Sequence, residues 1–360
     1  MRKHYLDNIR WMTVVLVVIY HVFWMYNGVG VSGGLGKITN LDVQYYDLYL
    51  YIVYPWMLPV LFLVSGISAR YSLQKYADKE FFKNRTVKLL VPVTIGLFVF
   101  HFIQGYISMA LSDAFETTAQ STPKIVLYFI MVAGGIGVMW YMQMLWIFSG
   151  LLLLIRKIEK EKLWNLGGKT GLIALLLMAV PLWAFAQVGN TPVVVCYRFG
   201  FYGLLFFLGY YVFSHDEVME KVKRYFLLFL GLAVALGIAF CVLYFGQNYA
   251  DAPVYKTVLF TTYGWFGCLA ILGGAARYLD LENTFTHWMG AHSFGLYIFH
   301  ELFISGVALF LAKPGLVPPV VAYLLSGICG FAGGYGMFAL ISRIPVYRWC
   351  VLGMRGKKKD

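Results

Sequence analysis

Two histidines in apolar surroundings are the residues best suited to chemistry in this sequence. His21 follows Arg10 by 11 positions in an otherwise apolar run, and His300 precedes Glu301 in a later apolar run. If the first run is helical, Arg10 and His21 are about 16 Å apart along the axis, about half the hydrocarbon thickness of a bilayer. A histidine at that depth is unfavourable unless it faces a protein interior or a water-filled cavity, so we interpret His21 as functional. The alternative is a packed histidine that hydrogen-bonds to a neighbouring helix.

His300 is predicted to lie at a depth comparable with that of His21. A helix that starts near Ala291 reaches His300 after about 13 Å. Glu301 points about 100° away from His300, so the two side chains are expected to meet different neighbours. Two histidines at matched depth, one of them beside a carboxylate, indicate a shared polar site formed by His21, His300 and Glu301.

A second cluster is basic. Arg70 ends the second predicted helix, and Arg85 and Lys88 share a face before the third. Together with Arg10, these residues could hold the phosphates of a cytosolic ligand, because arginine and lysine both bind phosphate oxygens. On composition alone, anchoring to anionic lipid is the simpler interpretation.

The start of the fourth predicted helix carries Trp140, Tyr141 and Gln143. Aromatic residues at this level are typical of the interfacial belt of a membrane protein. Gln143 is an amide that needs hydrogen-bond partners. Among these three residues, Gln143 is therefore the exception to the belt interpretation.

The composition predicts a membrane protein. The 360 residues are 60% hydrophobic and 13% charged, with a mean hydropathy of +0.70, whereas soluble domains carry about 25% charged residues. No polar block is long enough for a separate soluble domain, so we expect one integral-membrane domain over residues 1–360. The five scattered cysteines fit neither a disulfide framework nor a metal site.

The distribution of positive charge predicts the topology of the chain. If the N-terminus is cytoplasmic, 24 of the 29 Lys and Arg residues fall on the inner side of the membrane. Because membrane proteins concentrate positive charge on that side, the net charge of +12 does not indicate nucleic-acid binding. We predict an all-α polytopic protein with both termini in the cytoplasm. Ten helices are expected, at about residues 10–27, 48–69, 88–106, 137–155, 170–187, 198–213, 225–245, 256–276, 291–311 and 318–341. Residues 124–136 could be a re-entrant segment.

The chain carries an ordered set of motifs: Leu6-Asp7-x-x-Arg10, Arg10-x10-His21, Phe62-x-x-Ser65-Gly66, Arg85-x-x-Lys88-x-x-x-Pro92, Trp140-Tyr141, Phe206-Phe207-Leu208-Gly209-Tyr210 and Ser293-x-x-x-Tyr297-x-x-His300. This set resembles acyltransferase family 3, a family of integral-membrane acyltransferases. Within the family, the chain resembles the glucan biosynthesis protein C type. That branch usually has His-Leu-Trp-Phe-Leu where this chain has Val138-Met139-Trp140-Tyr141-Met142, so its acceptor and its succinyl donor are not carried over.

The resemblance implies a membrane-embedded O-acyltransferase of the bacterial plasma membrane. Its donor would be a cytosolic acyl-CoA, with acetyl-CoA placed before succinyl-CoA. Its acceptor would be a hydroxyl of an extracytoplasmic glycan or another cell-envelope compound. No metal is expected, and a homo-oligomer is compatible with the sequence. The candidate residues fit this geometry. Arg10, Arg70, Arg85 and Lys88 would bind CoA, and His21, His300 and Glu301 would be the catalytic residues, with neutral His21 as the general base. Trp140, Tyr141 and Gln143 would be the substrate-binding residues on the outer side.

A multi-helix transporter without acyl transfer is the main alternative. Many transporters have internal repeats with broken helices at corresponding positions of the two halves. The sequence shows no convincing repeat: Gly134-Gly135 and the glycines of residues 330–336 do not correspond.

Overall fold

The computed structural model describes residues 3–112, 118–119, 122–191 and 196–355. Within these ranges the chain is helical and contains no strand, which confirms the all-α prediction. The helices are α1 His4–Met25, α2 Leu48–Lys75, α3 Asp78–Arg85, α4 Phe102–Leu111, α5 Lys124–Gly134, α6 Trp140–Glu159, α7 Lys162–Gly167, α8 Leu172–Leu177, α9 Ala179–Ala186, α10 Phe199–Tyr211, α11 Asp216–Arg224, α12 Phe226–Tyr244, α13 Val258–Tyr278, α14 Thr284–Val307, α15 Pro319–Ile341 and α16 Pro345–Leu352. Three π-helical segments continue or precede these helices, at Thr86–Leu90, Leu97–His101 and Ala308–Ala312.

Among the described residues, seven helical stretches are long and apolar enough to cross a membrane. Each is at least 18 residues long, and about 20 apolar residues span the hydrocarbon core. They are His4–Met25, Tyr45–Lys75, Gly137–Glu159, Phe226–Tyr244, Val258–Tyr278, Thr284–Ala312 and Pro319–Ile341.

The other three predicted helices are short or interrupted. The prediction for residues 88–106 corresponds to Thr86–Leu90 and Leu97–Leu111, separated near Pro92, which has no N–H to continue the ladder. The prediction for residues 170–187 corresponds to α8 and α9, which divide just before Pro181. Helix α10 has 13 residues and is about 20 Å long. Residues 124–134 form α5, which rises only about 16 Å.

Three predicted boundaries were wrong by six or seven residues. Helix α2 ends at Lys75, six residues after its predicted end. Helix α1 begins at His4 and α14 at Thr284, six and seven residues before the predicted starts. The predictions began where the apolar residues begin. Polar residues can continue the same backbone hydrogen bonds, so the helices start earlier.

The chain divides into two compact units. The first unit comprises Met1–Thr13, Leu48–Lys83 and Ile147–Gly290, and the second comprises Val14–Asp47, Asn84–Trp146 and Ala291–Asp360. In the first unit, α2 packs against α10 and α13. A Cβ atom on Gly66 would lie 1.9 Å from the Phe206 carbonyl oxygen, and one on Gly209 would lie 2.1 Å from that of Leu63. The two glycines therefore allow the α2 and α10 backbones to touch.

Close glycine contacts also organise the second unit. A Cβ atom on Gly105 of α4 would lie 1.8 Å from the Met131 carbonyl oxygen of α5. A Cβ atom on Gly330 of α15 would meet Ile304 of α14 and Val18 of α1. These contacts pack α15 closely on the helices that carry the two histidines.

Candidate active site

The second unit brings the two histidines together. His21 lies near the C-terminal end of α1 and His300 lies on α14. His300 Nε2 is 3.2 Å from His21 Nδ1, and the two ring centroids are 4.9 Å apart. His300 is fully buried and His21 is half-buried. The sequence predicted that the two residues share a depth, and the structure places them in direct contact.

Backbone carbonyls determine the tautomers of the neutral histidine pair. His21 Nδ1 lies 2.8 Å from the Val17 oxygen, and His300 Nδ1 lies 2.9 Å from the Tyr297 oxygen. A carbonyl oxygen only accepts hydrogen bonds, so both Nδ1 atoms carry the proton. His300 Nε2 then accepts a hydrogen bond from His21 Nδ1, and the unprotonated nitrogen of His21 is Nε2.

Aromatic rings surround this pair. The Trp24 ring centroid is 5.4 Å from that of His21, and the Tyr297 centroid is 6.2 Å from that of His300. Tyr141 meets Tyr297 at 6.1 Å, which connects a predicted substrate-binding residue to the pair through one ring. Neither Trp24 nor Tyr297 was predicted as a site residue from the sequence, although Tyr297 belongs to the Ser293 to His300 motif. Each lies three residues from its histidine, a spacing that places side chains on one face of a helix.

Glu301 and Tyr297 hold the turn before α6. Glu301 Oε2 accepts a hydrogen bond from Val138 N–H at 2.9 Å, and Tyr297 OH donates to the Val138 carbonyl oxygen. Gly137 adopts a φ of +41°, and a Cβ atom there would lie 2.3 Å from Glu301 Oε2. This glycine therefore allows the carboxylate to approach the backbone. The Glu301 contact orients the 137–139 turn, whereas the role expected from the sequence was to orient a histidine.

The other predicted substrate-binding residues follow this turn directly. Trp140 is buried at the first position of α6, and Gln143 is half-buried one turn later. Trp146, on the same helix, donates to Thr86 Oγ1 at 3.0 Å. The position of the 137–139 turn thus determines where α6 presents Trp140 and Tyr141.

Two predicted phosphate ligands lie in the first unit and already contact carboxylates. Arg10 pairs with Asp7 at 2.5 Å and donates to Ser68. Arg70 pairs with Glu161 at 2.7 Å, donates to Tyr210 OH at 3.1 Å and lies over the Trp164 ring.

The other two predicted ligands, Arg85 and Lys88, lie in the second unit at a change of helix type. Arg85 ends α3, and Lys88 lies in the π-helical segment Thr86–Leu90. Lys88 is exposed, and its Nζ is 5.4 Å from the centroid of the Phe294 ring. π-Helical segments within helices occur frequently at functional sites. These two residues share a unit with the histidine pair.

A further buried polar cluster lies beside α14. His101 stacks on Phe299, with ring centroids 6.0 Å apart. Gln104 Nε2 is 3.1 Å from Ser305 Oγ. The sequence gave no signal for Ser305. Among the described residues, no group of three His, Cys, Asp or Glu side chains could hold a metal ion.

The comparison with protein families extends over nearly the whole chain. A family model described as an acyltransferase domain matches residues 3–339 and contains every candidate residue above. No curated protein and no solved structure matches the chain. Because this match covers far more than half of its length, the chain belongs to acyltransferase family 3, the integral-membrane acyltransferases.

Proposed function

We propose that this membrane acyltransferase moves an acyl group from a cytosolic acyl-CoA to a hydroxyl of an extracytoplasmic glycan or other cell-envelope acceptor. Acetyl-CoA is the first candidate donor and succinyl-CoA the second. The observation that carries the proposal is the His21–His300 hydrogen bond. This hydrogen bond and the Val17 carbonyl engage Nδ1 of His21, so its basic nitrogen is Nε2.

In the proposed mechanism, neutral His21 is the general base. Nε2 takes the proton of the acceptor hydroxyl, and the hydroxyl oxygen attacks the thioester carbonyl carbon. The tetrahedral intermediate then expels the CoA thiolate, which takes the proton back from His21. His300 Nε2 accepts from His21 Nδ1–H throughout and stabilises the imidazolium. Base catalysis of this kind contributes about 10² to 10⁴-fold.

The basic residues supply the donor side of the proposal. Arg85 and Lys88 are the main candidates for binding CoA phosphates, since they share a unit with His21 and Lys88 is exposed. Arg10 and Arg70 remain candidates. We expect a smaller contribution from them because they do not belong to the compact unit that contains His21.

The start of α6 supplies the acceptor side. Trp140, Tyr141 and Gln143 offer two aromatic rings and an amide, and Tyr141 reaches the histidines through Tyr297. We assign Glu301 as a positioning residue that keeps this end of α6 in place through Val138.

The membrane arrangement completes the proposal. One integral domain crosses the bacterial plasma membrane ten times, with both termini in the cytoplasm. Acyl-CoA would then be available on one side and the acceptor on the other. The 24 inner positive charges support this orientation.

The experiment is transfer of labelled acetyl from acetyl-CoA into the glycan and lipid fractions of membranes that contain the wild type, His21→Ala or His287→Ala. His287 is exposed and serves as the matched control. We expect label in one fraction from the wild type and the control, and at least 100-fold less from His21→Ala. Equal transfer by His21→Ala would remove His21 from the mechanism.

A binding measurement covers the case in which no fraction is labelled. Acyl-CoA binding to the purified protein should then persist in His21→Ala and weaken in the Arg85→Ala, Lys88→Ala double variant. A wild type that binds no acyl-CoA would contradict the proposed donor and favour the transporter alternative.

A further inference from the structure

A basic surface groove lies in the first unit, outside the candidate active site. Its volume is about 430 Å³, and it is lined by Glu220, Lys221, Lys223, Arg224 and Arg277. Four of these side chains are positive and one is negative, so the lining carries a net charge of +3. The charge favours a ligand with more than one negative charge.

Two of the four cations bond to oxygen atoms of the protein, and the guanidinium of Arg277 lies 5.3 Å from the centroid of the Tyr278 ring. Lys223 pairs with Glu220 at 2.8 Å, and Lys221 donates to the Thr170 carbonyl oxygen at 2.9 Å. Arg224 and Arg277 are exposed, and within the described ranges neither makes an ion pair with a carboxylate. Their guanidinium groups can each present two donors to a phosphate.

The groove adjoins an apolar surface. Arg224 is the last residue of α11, α12 begins two residues later, and Arg277 lies in the last turn of α13. The Phe226 and Tyr278 rings pack edge to face with centroids 5.8 Å apart, which joins the helix ends that carry the two arginines. From this point, exposed residues run along α12 at helical spacing: Leu227, Leu230, Val234, Ile238 and Val242.

We propose that this groove binds the headgroup of an anionic phospholipid, with phosphate on Arg224 and Arg277 and an acyl chain along the exposed stripe of α12. A water-soluble phosphate compound would pair with the cations but has no acyl chain to pack against the apolar stripe. The net charge of +3 favours a headgroup with two phosphates over a headgroup with one. Basic pockets beside membrane helices bind such headgroups.

The test is lipid binding to the purified full chain, counted as bound lipid by native mass spectrometry. The probes are a two-phosphate lipid (cardiolipin), phosphatidylglycerol and phosphatidylcholine. The variants are Arg224→Gln with Arg277→Gln and, as a control of equal charge change, Lys157→Gln with Lys162→Gln on another exposed segment. All four side chains are exposed, so folding should persist, and the thermal unfolding midpoint checks this.

The wild type and the lysine control should bind cardiolipin most tightly and phosphatidylcholine least. The arginine variant should bind cardiolipin about 25-fold more weakly, because each removed surface cation near lipid accounts for about fivefold. Unchanged cardiolipin binding by the folded arginine variant would overturn the site. Displacement of the lipid by soluble pyrophosphate or CoA would overturn the lipid assignment and indicate a water-soluble ligand.

Discussion

At the scale of single residues, the contact between His21 and His300 gives the two histidines different roles. Both rings use Nδ1–H on backbone carbonyls, so His300 can only accept from His21 while the pair is neutral. His21 keeps a basic Nε2, whereas both nitrogens of His300 are engaged. In the proposed mechanism His300 therefore acts through His21 and is a positioning residue.

Replacing His300 tests this division of roles. His300→Phe keeps an aromatic ring and removes the acceptor, so we expect kcat to fall about 10 to 100-fold with the KM for acyl-CoA unchanged. His300→Gln provides an amide oxygen that can accept from His21 and should recover part of the loss. Steady-state kinetics of both variants measure this. Equal losses in the two variants would contradict the acceptor role.

A similar pair of variants tests whether the Glu301 carboxylate takes part directly in the chemistry. Glu301→Gln keeps an oxygen that can accept from Val138 N–H and should retain most of the activity. Glu301→Ala leaves that buried N–H unpaired, which costs about 1–3 kcal/mol, and should raise the KM for the acceptor more than it lowers kcat. If the carboxylate transferred protons, Glu301→Gln would be as inactive as Glu301→Ala, and kinetics with a saturating donor would reveal it.

At the scale of elements, two motifs that resembled the family pattern serve packing. Gly66, from the Phe62-x-x-Ser65-Gly66 motif, and Gly209, from the Phe206 to Tyr210 motif, face each other where α2 meets α10. Small residues allow membrane helices to approach closely and gain dispersion energy, because the hydrophobic effect does not drive helices together in lipid. The motifs that carry chemistry and the motifs that carry packing are therefore different parts of the same pattern.

Gly66→Ala tests the helix contact. The added Cβ atom would lie 1.9 Å from the Phe206 carbonyl oxygen, so the helices must separate. We expect the free energy of unfolding to fall by about 1–3 kcal/mol. Gly231→Ala on α12 is the matched control because nothing lies within 4 Å of its added Cβ atom. It should leave stability unchanged or raise it by up to about 1 kcal/mol. Thermal unfolding in detergent compares the two, and equal midpoints would contradict the contact.

At the scale of the whole molecule, the number of membrane crossings decides where the chain ends. Ten crossings return the C-terminus to the side of the N-terminus, whereas seven would place it on the opposite side. The structure has seven helical stretches of sufficient length, and the shorter apolar helices at Leu97–Leu111, Leu172–Ala186 and Phe199–Tyr211 correspond to the other three predicted crossings. The charge distribution favours ten.

Reporters fused after Asp360, which lies outside the described residues, test the number of membrane crossings in the full chain. A fluorescent protein that folds only in the cytoplasm should be bright, and alkaline phosphatase, which is active only outside it, should be inactive. An active phosphatase fusion would contradict ten crossings with a cytoplasmic N-terminus. The expected outcome follows from the 24 to 5 partition of Lys and Arg.

The sequence alone determined the helical membrane fold, the presence of a helix at all ten predicted positions and, through an ordered set of motifs, the family. The fold and the helix positions follow from apolar runs, which are local and additive along the chain. The interruptions near Pro92 and Pro181 were readable in principle, because proline removes a backbone donor.

Only the tertiary structure decided which side chains meet. It placed His300 against His21, set the tautomers through backbone carbonyls, and directed Glu301 to Val138. It also paired Arg70 with Glu161, 91 residues away, where the sequence indicated a free phosphate ligand. Such contacts depend on the rotation and packing of helices that are distant in the chain. Hydrophobic periodicity specifies which residues a helix can bury and leaves open which partner buries them.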